Sequence, residues 1–241
     1  MKPLVQIVWF KRDLRVEDHS ALYEACSAGV VVPIYVWDQN RATSHDYALQ
    51  HQAFIQECLQ SLRASLSHLG LMLFEFHTHI IEVLNHLSDT FIISGIYSHE
   101  ETGNGLSFQV DQSVAAWCND KQIQWHEYPQ NGVVRRLNNR DHWAAIWESR
   151  MRAPQTPNIT SATCAVLLNA FIAPVMLPDL VIGDDKPLRQ KGGRDEALKI
   201  LQTFLNGRAS RYRGGISSPL TSEHACSRLS PYLTWGVMST R

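Results

Sequence analysis

The run from Ser227 to Pro231 carries residue types that can bind an anion at the start of a helix. Ser227 and Ser230 supply hydroxyl groups, and Arg228 supplies a cation. Serine is a favoured N-cap and proline is favoured at the first helical position, so the spacing predicts a helix with Ser230 as its N-cap. Hydroxyls and free backbone amides at such a helix start suit a phosphate group. The same residues also occur in ordinary helix caps, so local chemistry leaves both interpretations open.

A second polar segment follows the apolar run Leu4–Phe10, which is typical of a strand buried on both faces. Open α/β sheets bind ligands at the carboxyl ends of such strands. The segment has neither a G-x-G-x-x-G fingerprint nor a phosphate-binding loop, so a dinucleotide site of that kind is not expected. Taken alone, its charged residues predict a solvated, salt-bridged turn; they are Lys11, Arg12, Asp13 and Arg15.

Three histidines could contribute to a metal site. His77 and His79 alternate at a predicted strand end, and His99 precedes two glutamates. A third ligand at a sensible spacing is not evident, so ordinary exposed histidines are favoured and no metal is predicted.

The elements that would position these residues alternate between strand and helix. Five apolar runs predict strands: Leu4–Phe10, Val30–Trp37, Leu71–Phe76, Phe91–Ser98 and Ile123–Tyr128. Helical periodicity lies between them, most clearly from Gln50 to Leu69, and a plausible N-cap stands at Asp18. Repeated strand–helix–strand units indicate a parallel sheet. The prediction is a doubly wound five-stranded α/β domain over residues 1–130.

The character of the sequence changes after residue 130. A helix capped by Asp141 and a proline-containing stretch without sustained periodicity predict an interdomain connector over 131–191. An amphipathic helix then begins near Gly192, and residues 192–241 are predicted to form the first helices of an all-α domain.

Composition gives the chain the character of an ordinary globular protein. Its 241 residues include 44% hydrophobic and 19% charged residues, with a formal net charge of −1, so no global basic field indicates a nucleic-acid binder. The five cysteines are scattered without a C-x-x-C pair, which favours a reducing compartment over a disulfide framework. No run is long enough to predict a membrane span, and the expected location is cytoplasmic.

Five motifs in one order extend these predictions. They are FKRDLRVEDHSAL from Phe10, SHEETGN from Ser98, NGVVRRLNNRDHWAAIWESRM from Asn131, GGRDEALKILQTFLNGRASRY from Gly192, and CSRLSPYLTWGVMSTR from Cys226. This series resembles the DNA photolyase and cryptochrome family over the whole chain. His19 stands where asparagine is the commoner residue in that family.

The resemblance implies an FAD site in the helical region. Tyr212 takes the position of a tyrosine that contacts FAD. The run that wraps the FAD diphosphate is matched by Cys226, Ser227, Arg228, Leu229 and Ser230. Cys226 replaces a threonine common in the family, so one hydroxyl donor to phosphate is lost, because a thiol donates only weakly.

The resemblance also implies a second, antenna chromophore, a folate or a deazaflavin, in the α/β domain. Asp38 and Glu101 lie at suitable strand ends, although surface acids explain them equally well. The family's electron-transfer tryptophans belong to sequence beyond Arg241, so six of the seven here are expected in the core: Trp9, Trp37, Trp117, Trp125, Trp143 and Trp147. Trp235 is expected near the flavin pocket.

For the complete protein, the resemblance implies repair of pyrimidine dimers in damaged DNA by blue-light-driven electron transfer from reduced FAD, a deoxyribodipyrimidine photo-lyase activity. A cryptochrome that senses light without repair remains an alternative. A different class, a nucleotide-binding protein of the universal-stress or electron-transfer-flavoprotein kind, shares the doubly wound layout but leaves the sequence after Gly192 unexplained.

The signature motif also leads to expectations about Arg241. A truncation there would leave Leu229, Leu233 and Trp235 without partners, and the exposed end would fray or promote association. The chain alone is then expected neither to hold FAD tightly nor to repair DNA.

Overall fold

The structure, a computed structural model, describes residues 2–42, 44–45, 47–164 and 186–241. Its centre is one parallel sheet with the strand order β3-β2-β1-β4-β5. The strands are β1 (Leu4–Phe10), β2 (Val31–Val36), β3 (Phe74–Phe76), β4 (Ile92–His99) and β5 (Gln124–Tyr128). The predicted doubly wound parallel sheet is therefore confirmed. The third strand is shorter than predicted, because pairing with β2 begins only at Phe74.

Helices cover both faces of the sheet. In the α/β region they are α1 (Ser20–Ala28), α2 (Gln39–Ala42), α3 (Leu49–His68), α4 (Ile80–Thr90) and α5 (Gly105–Lys121). Side chains alternate along β1, so Val8 and Phe10 join the core beside α1 and α3, while Ile7 and Trp9 join the core beside α4 and α5. Burial of each such side chain contributes roughly 1.5–3 kcal/mol, which explains why six of the seven residues of β1 are apolar.

The remaining helices lie after β5, and those from α7 onward follow a segment that packs against α3. They are α6 (Trp143–Arg152), α7 (Arg194–Thr203), a π-helical turn (Phe204–Arg208), α8 (Ala209–Gly215), α9 (Pro219–Ala225) and α10 (Ser230–Thr234). Arg189 pairs with Glu57 of α3 at 2.8 Å, and the Gly193 amide donates to the Cys58 sulfur at 3.3 Å. Ala197 of α7 is fully buried in the same core cluster as α3. The connector proposed for 131–191 is described only in part, and Pro174 and Pro178 lie outside the described residues.

Three predicted helix caps are wrong. His19, not Asp18, is the N-cap of α1, because its ring Nδ1 accepts from the Leu22 amide at 3.0 Å. The α6 cap is His142 where Asp141 was predicted. The last helix begins at Ser230 with Leu229 as its cap, one residue earlier than predicted.

Asp18 is unavailable as a cap because it adopts a left-handed conformation, with φ of 48°, and its carboxylate is engaged elsewhere. It accepts from the Thr156 amide at 2.9 Å and from the side chains of Ser239 and Arg241. These partners lie far along the chain, so the local sequence gives no sign of them.

No helix within the described ranges is both long and apolar enough to cross a lipid bilayer.

Candidate functional site

A cavity of about 220 Å³ opens at the carboxyl ends of β1, β2 and β4, the edge at which open α/β sheets bind ligands. Its aromatic lining comes from Trp9, Phe10, Tyr35, Tyr47 and Trp235. Its charged lining comes from Lys11, Arg12, Asp38, Arg41, Glu101 and Asp111. Flat apolar walls with a few charged groups are typical of sites for planar organic cofactors.

The two acids predicted as antenna contacts lie on this one cavity. Glu101 is only 6% exposed; it pairs with Arg12 Nε at 3.3 Å and accepts from the Gly103 amide at 2.7 Å. Asp38 follows β2, accepts from the Asn40 amide at 2.9 Å and lies 3.8 Å from His79 Nδ1. Their contact with a chromophore stays a prediction.

The first polar turn is buried, which overturns the expectation of a solvated turn. Lys11, Asp13 and Arg15 are 6%, 0% and 4% exposed. Lys11 Nζ donates to both carboxylate oxygens of Asp111, at 3.0 and 3.2 Å, and lies 4.6 Å from the centroid of the Trp9 ring. The expectation of salt bridges in this turn is confirmed, but their partners are distant: Lys11 pairs with Asp111 of α5, and Arg12 pairs with Glu101, which follows β4.

Asp111 was not identified from the sequence, although it reaches the cavity wall. Burial raises its pKa, and the neighbouring Lys11 ammonium opposes that rise. Arg135 bridges two acids: its Nη1 lies 3.3 Å from Asp111 Oδ2, and its Nη2 lies 2.7 Å from Glu127 Oε2. The available signal was the spacing of Asp111 with Val114, Trp117 and Cys118, which places this acid on the buried face of α5.

Behind the cavity, Asp13 forms a buried cluster with two histidines. Asp13 Oδ2 accepts from His99 Nδ1 at 2.8 Å, and His19 Nε2 lies 3.0 Å away, out of line for an ideal hydrogen bond. Burial alone would raise the pKa of Asp13, but electrostatic attraction to the two histidines and hydrogen bonds from them outweigh it and hold this pKa well below its usual range. The view of His99 as an ordinary exposed histidine is wrong.

The composition of this cluster would suit a metal ion, since the three ligand atoms lie within 4.8 Å of one another. The hydrogen bond from the Leu22 amide shows that His19 is not set up to bind a metal ion. The amide donates to Nδ1 of the ring, so the neutral imidazole carries its proton on Nε2, the nitrogen that faces Asp13. A metal ion at Nε2 would need the lone pair that this tautomer lacks. The cluster is therefore a hydrogen-bonding centre that fixes the turn below the cavity.

His99 makes stability depend on pH. Burial lowers the pKa of His99 to about 3, below its usual value of 6.5. Between these values the unfolded chain binds a proton that the folded chain does not, so the free energy of unfolding should fall as pH decreases from about 6.5 towards 3. In urea unfolding at several pH values, His99→Gln should flatten this dependence by up to about 1.4 kcal/mol per pH unit. Equal pH slopes for the two proteins would contradict the assignment.

The closing segment docks onto the first turn. The Leu14 amide donates to the Trp235 carbonyl at 3.0 Å, and Arg15 Nη1 donates to the Gly236 carbonyl at 2.9 Å. Trp235 is 8% exposed. The expectation that Trp235 lacks partners is therefore wrong, whereas Leu233 remains 41% exposed.

Of the other tryptophans, Trp9 and Trp117 are buried as predicted. Trp143 and Trp147 are 37% and 44% exposed, so the expectation of a core position is wrong for these two. No residue of α6 is buried, because this helix packs mainly on the short loop that carries Gly132.

The residues predicted to hold FAD form a separate, half-buried turn. Arg208 Nη1 donates to the Cys226 carbonyl at 3.0 Å, and Gln190 Nε2 donates to the Arg228 carbonyl at 2.6 Å. Ser227 Oγ accepts from the Leu229 amide at 3.4 Å. These bonds fix the backbone, while Ser230 is exposed.

Tyr212 lies on α8, 41% exposed and edge-on to Phe204 at 5.7 Å. The end of α8 approaches α9 closely, because a Cβ on Gly215 would lie 2.5 Å from the Ala225 Cβ. Ala225 directly precedes Cys226, so the run Cys226–Ser230 begins beside the end of the helix that carries Tyr212. Within the described residues the Arg228 guanidinium forms no ion pair, and with two serine hydroxyls beside it the donor set fits a diphosphate.

Comparisons with known proteins agree on one family. The DNA photolyase family model matches residues 6–139. The chain belongs to the DNA photolyase family. Arabidopsis thaliana cryptochrome-2 is 32% identical over 256 residues, covering 98% of this chain and 41% of that protein. This membership gives no support to the universal-stress or electron-transfer-flavoprotein alternative.

Solved structures of the family share the fold. A cryptochrome from Synechocystis superposes with a TM-score of 0.80 at 20% identity, covering 99% of this chain and 54% of that one. An archaeal photolyase from Sulfolobus tokodaii, solved with two FAD molecules, gives 0.73 at 22% identity, covering 97% and 52%. The chain thus spans about half the length of these family members or less.

Proposed function

We propose that this chain works as the antenna and flavin-anchoring part of a photolyase/cryptochrome-type flavoprotein. The observation that carries the proposal is the aromatic, charge-lined cavity at the carboxyl ends of β1, β2 and β4, closed by the family's signature segment at Trp235. Such a cavity can hold a planar ring between aromatic walls while charged groups fix its orientation.

The antenna chromophore is proposed to be a folate or a deazaflavin bound in this cavity. Glu101 and Asp38 each present a carboxylate that can accept hydrogen bonds from ring nitrogens. The ion pair with Arg12 holds Glu101 in place before a ligand arrives. The second FAD of the Sulfolobus tokodaii photolyase supports a flavin-like ring as another possible occupant.

FAD is proposed to bind at the run Cys226–Ser230, with Tyr212 contacting it from α8. The Arg228 guanidinium and the hydroxyls of Ser227 and Ser230 would hold the diphosphate, because charge-assisted hydrogen bonds to phosphate are among the strongest available. When bound, reduced FAD supplies light-driven electron transfer. The role of this chain's residues is to anchor the phosphates and to position the helical turn that carries them.

For the whole protein we propose repair of pyrimidine dimers, with damaged DNA as the partner and a deoxyribodipyrimidine photo-lyase activity. A cryptochrome-type photoreceptor without repair is the second candidate, supported by the match to cryptochrome-2. An assay for dimer reversal under blue light separates the two. We also propose the division 1–130, 131–191 and 192–241. We also propose a cytoplasmic location, which the scattered spacing of the five cysteines, without a C-x-x-C pair, supports.

The first test is an absorption and fluorescence spectrum of the purified chain and of the small molecules released when it is denatured. A folate or deazaflavin band is expected, and Glu101→Gln should reduce it, because the variant loses the carboxylate that faces the cavity. Asp120→Asn, at a residue 73% exposed on α5, is the control and should leave the band unchanged. A band that survives Glu101→Gln undiminished would remove Glu101 from the site.

FAD anchoring is tested separately by equilibrium dialysis. Arg228→Gln should weaken FAD binding roughly 10-fold to 100-fold, since a charge-assisted hydrogen bond contributes about 1.5–3 kcal/mol. Arg136→Gln removes an exposed charge far from this turn and is the matched control. Equal losses in the two variants would point to general charge attraction and contradict a diphosphate site at this turn.

A further inference from the structure

The cavity wall combines residues from opposite ends of the chain. Most of the lining belongs to the α/β region, but Thr234 and Trp235 come from the segment that follows the proposed FAD-binding turn. Trp235 shares a buried cluster with Phe10 and Tyr35, at the ends of β1 and β2. An occupant of this cavity would therefore touch both regions of the protein.

Two arginines of the cavity hold the Trp235 ring. The guanidinium carbons of Arg12 and Arg41 lie 5.2 Å and 5.4 Å from the ring centroid, within the range of cation–π attraction. Arg12 in turn pairs with Glu101 at 3.3 Å. The position of the indole ring is thus linked to the charged groups that would orient a ligand.

The backbone at Trp235 cannot shift without disturbing the first turn. Its carbonyl accepts from the Leu14 amide, and the next carbonyl, of Gly236, accepts from the buried Arg15 guanidinium. The Val237 amide also bonds back to the Tyr232 carbonyl at 2.9 Å, which ties this docked segment to α10. Opening of the cavity wall would therefore loosen the helix that follows the proposed FAD-binding turn.

We propose that Trp235 is a positioning residue that couples the α/β cavity to the helical region. It forms the wall against which a bound ring packs, so ligand binding in the cavity favours docking of the segment Ser230–Val237, and docking favours ligand binding. This inference rests on the proposed function, which places a planar chromophore in the cavity. Because coupling between two equilibria is reciprocal, each side can be measured from the other.

The probes are a tetrahydrofolate and 5-deazariboflavin, neither of which carries a diphosphate that the turn Cys226–Ser230 would attract. Their affinities for the full chain are measured by equilibrium dialysis. Trp235→Phe should weaken binding roughly threefold to tenfold, the range that corresponds to losing part of one aromatic contact. Trp117→Phe is the matched control, since Trp117 is also 8% exposed but packs between α4 and α5, away from the cavity lining.

The reciprocal measurement is hydrogen exchange of the unaltered chain with and without the bound probe. With free ligand at 100 times its dissociation constant, exchange of the Leu14, Trp235 and Val237 amides should slow by up to about 100-fold, because opening must first release the ligand. If the role of Trp235 were purely structural, Trp235→Phe would lower the stability of the chain, but the bound probe would not slow exchange of these amides.

The outcomes separate the two proposals. Probe binding that Trp235→Phe and Trp117→Phe weaken equally, without protection of the docked segment, overturns the coupling and leaves the antenna cavity standing. Failure of the unaltered chain to bind either probe overturns both proposals. Selective weakening by Trp235→Phe together with protection of Ser230–Val237 supports the coupling.

Discussion

Asp13→Ala should lower the free energy of unfolding by about 3–5 kcal/mol, because each buried donor left without its acceptor costs roughly 1–3 kcal/mol. Asp13 is fully buried, and its carboxylate accepts from the Lys11 amide at 2.6 Å and from His99 at 2.8 Å. Alanine would leave two imidazoles and a backbone amide facing a space without an acceptor. Unsatisfied buried polar groups carry the desolvation penalty in full.

Urea unfolding monitored by circular dichroism measures this effect. Asp120→Ala is the control, because Asp120 is 73% exposed and its change should stay within about 0.5 kcal/mol. A loss below about 1 kcal/mol for Asp13→Ala would mean that water or rearranged side chains satisfy the histidines, and that the cluster does not fix the turn. The variant should also weaken ligand binding, since this turn forms the cavity floor.

Local sequence patterns predicted the sheet because the burial of each strand and helix is visible in the pattern of its own residues. The central strands β1 and β2 are buried on both faces, so both appear as mostly apolar runs. The amphipathic pattern of α3 likewise reflects one buried face, with Phe54, Cys58 and Leu62 among its buried residues. Parallel order follows from helices placed between consecutive strands.

The site could be predicted only in part, because its partners are distant in sequence. Lys11 donates a hydrogen bond to Asp111, 100 residues away in the sequence, and Arg15 donates one to the Gly236 carbonyl, 221 residues away. A run of charges at a strand end gives no local sign that such partners exist, so burial of the turn was missed. The two acids on the cavity wall were found because they follow strands, and the ends of parallel strands meet at one edge.

The structure gives a reason for His19, which replaces the asparagine that is commoner at this position of the family motif. An asparagine at this position could accept from the Leu22 amide as a cap, but it has no second ring nitrogen to place beside Asp13. The imidazole does both, with Nδ1 towards Leu22 and Nε2 towards Asp13. The substitution of histidine for asparagine was visible in the sequence, and the buried Asp13 carboxylate gives a reason for it.

Gly236→Ala should lower the free energy of unfolding by about 3 kcal/mol, because it combines backbone strain with an unavoidable overlap. Gly236 has a φ of 58°, a conformation that costs an L-residue roughly 1–2 kcal/mol. A Cβ at this position would overlap the Arg12 carbonyl oxygen and lie 2.7 Å from the Asp13 Cα. These are backbone atoms of the turn that the Asp13 cluster holds in place, so they cannot move aside cheaply.

The control for this variant is Gly105→Ala at the start of α5, where a Cβ would meet no atom within 4 Å and stability should change by less than about 0.5 kcal/mol. The cost of Gly236→Ala should appear as undocking of the closing segment rather than as unfolding of the sheet. Limited proteolysis should therefore cut near Trp235 while the α/β region remains resistant. Resistance equal to that of the unaltered chain, at unchanged stability, would show that the tryptophan–glycine pair does not hold the two regions together.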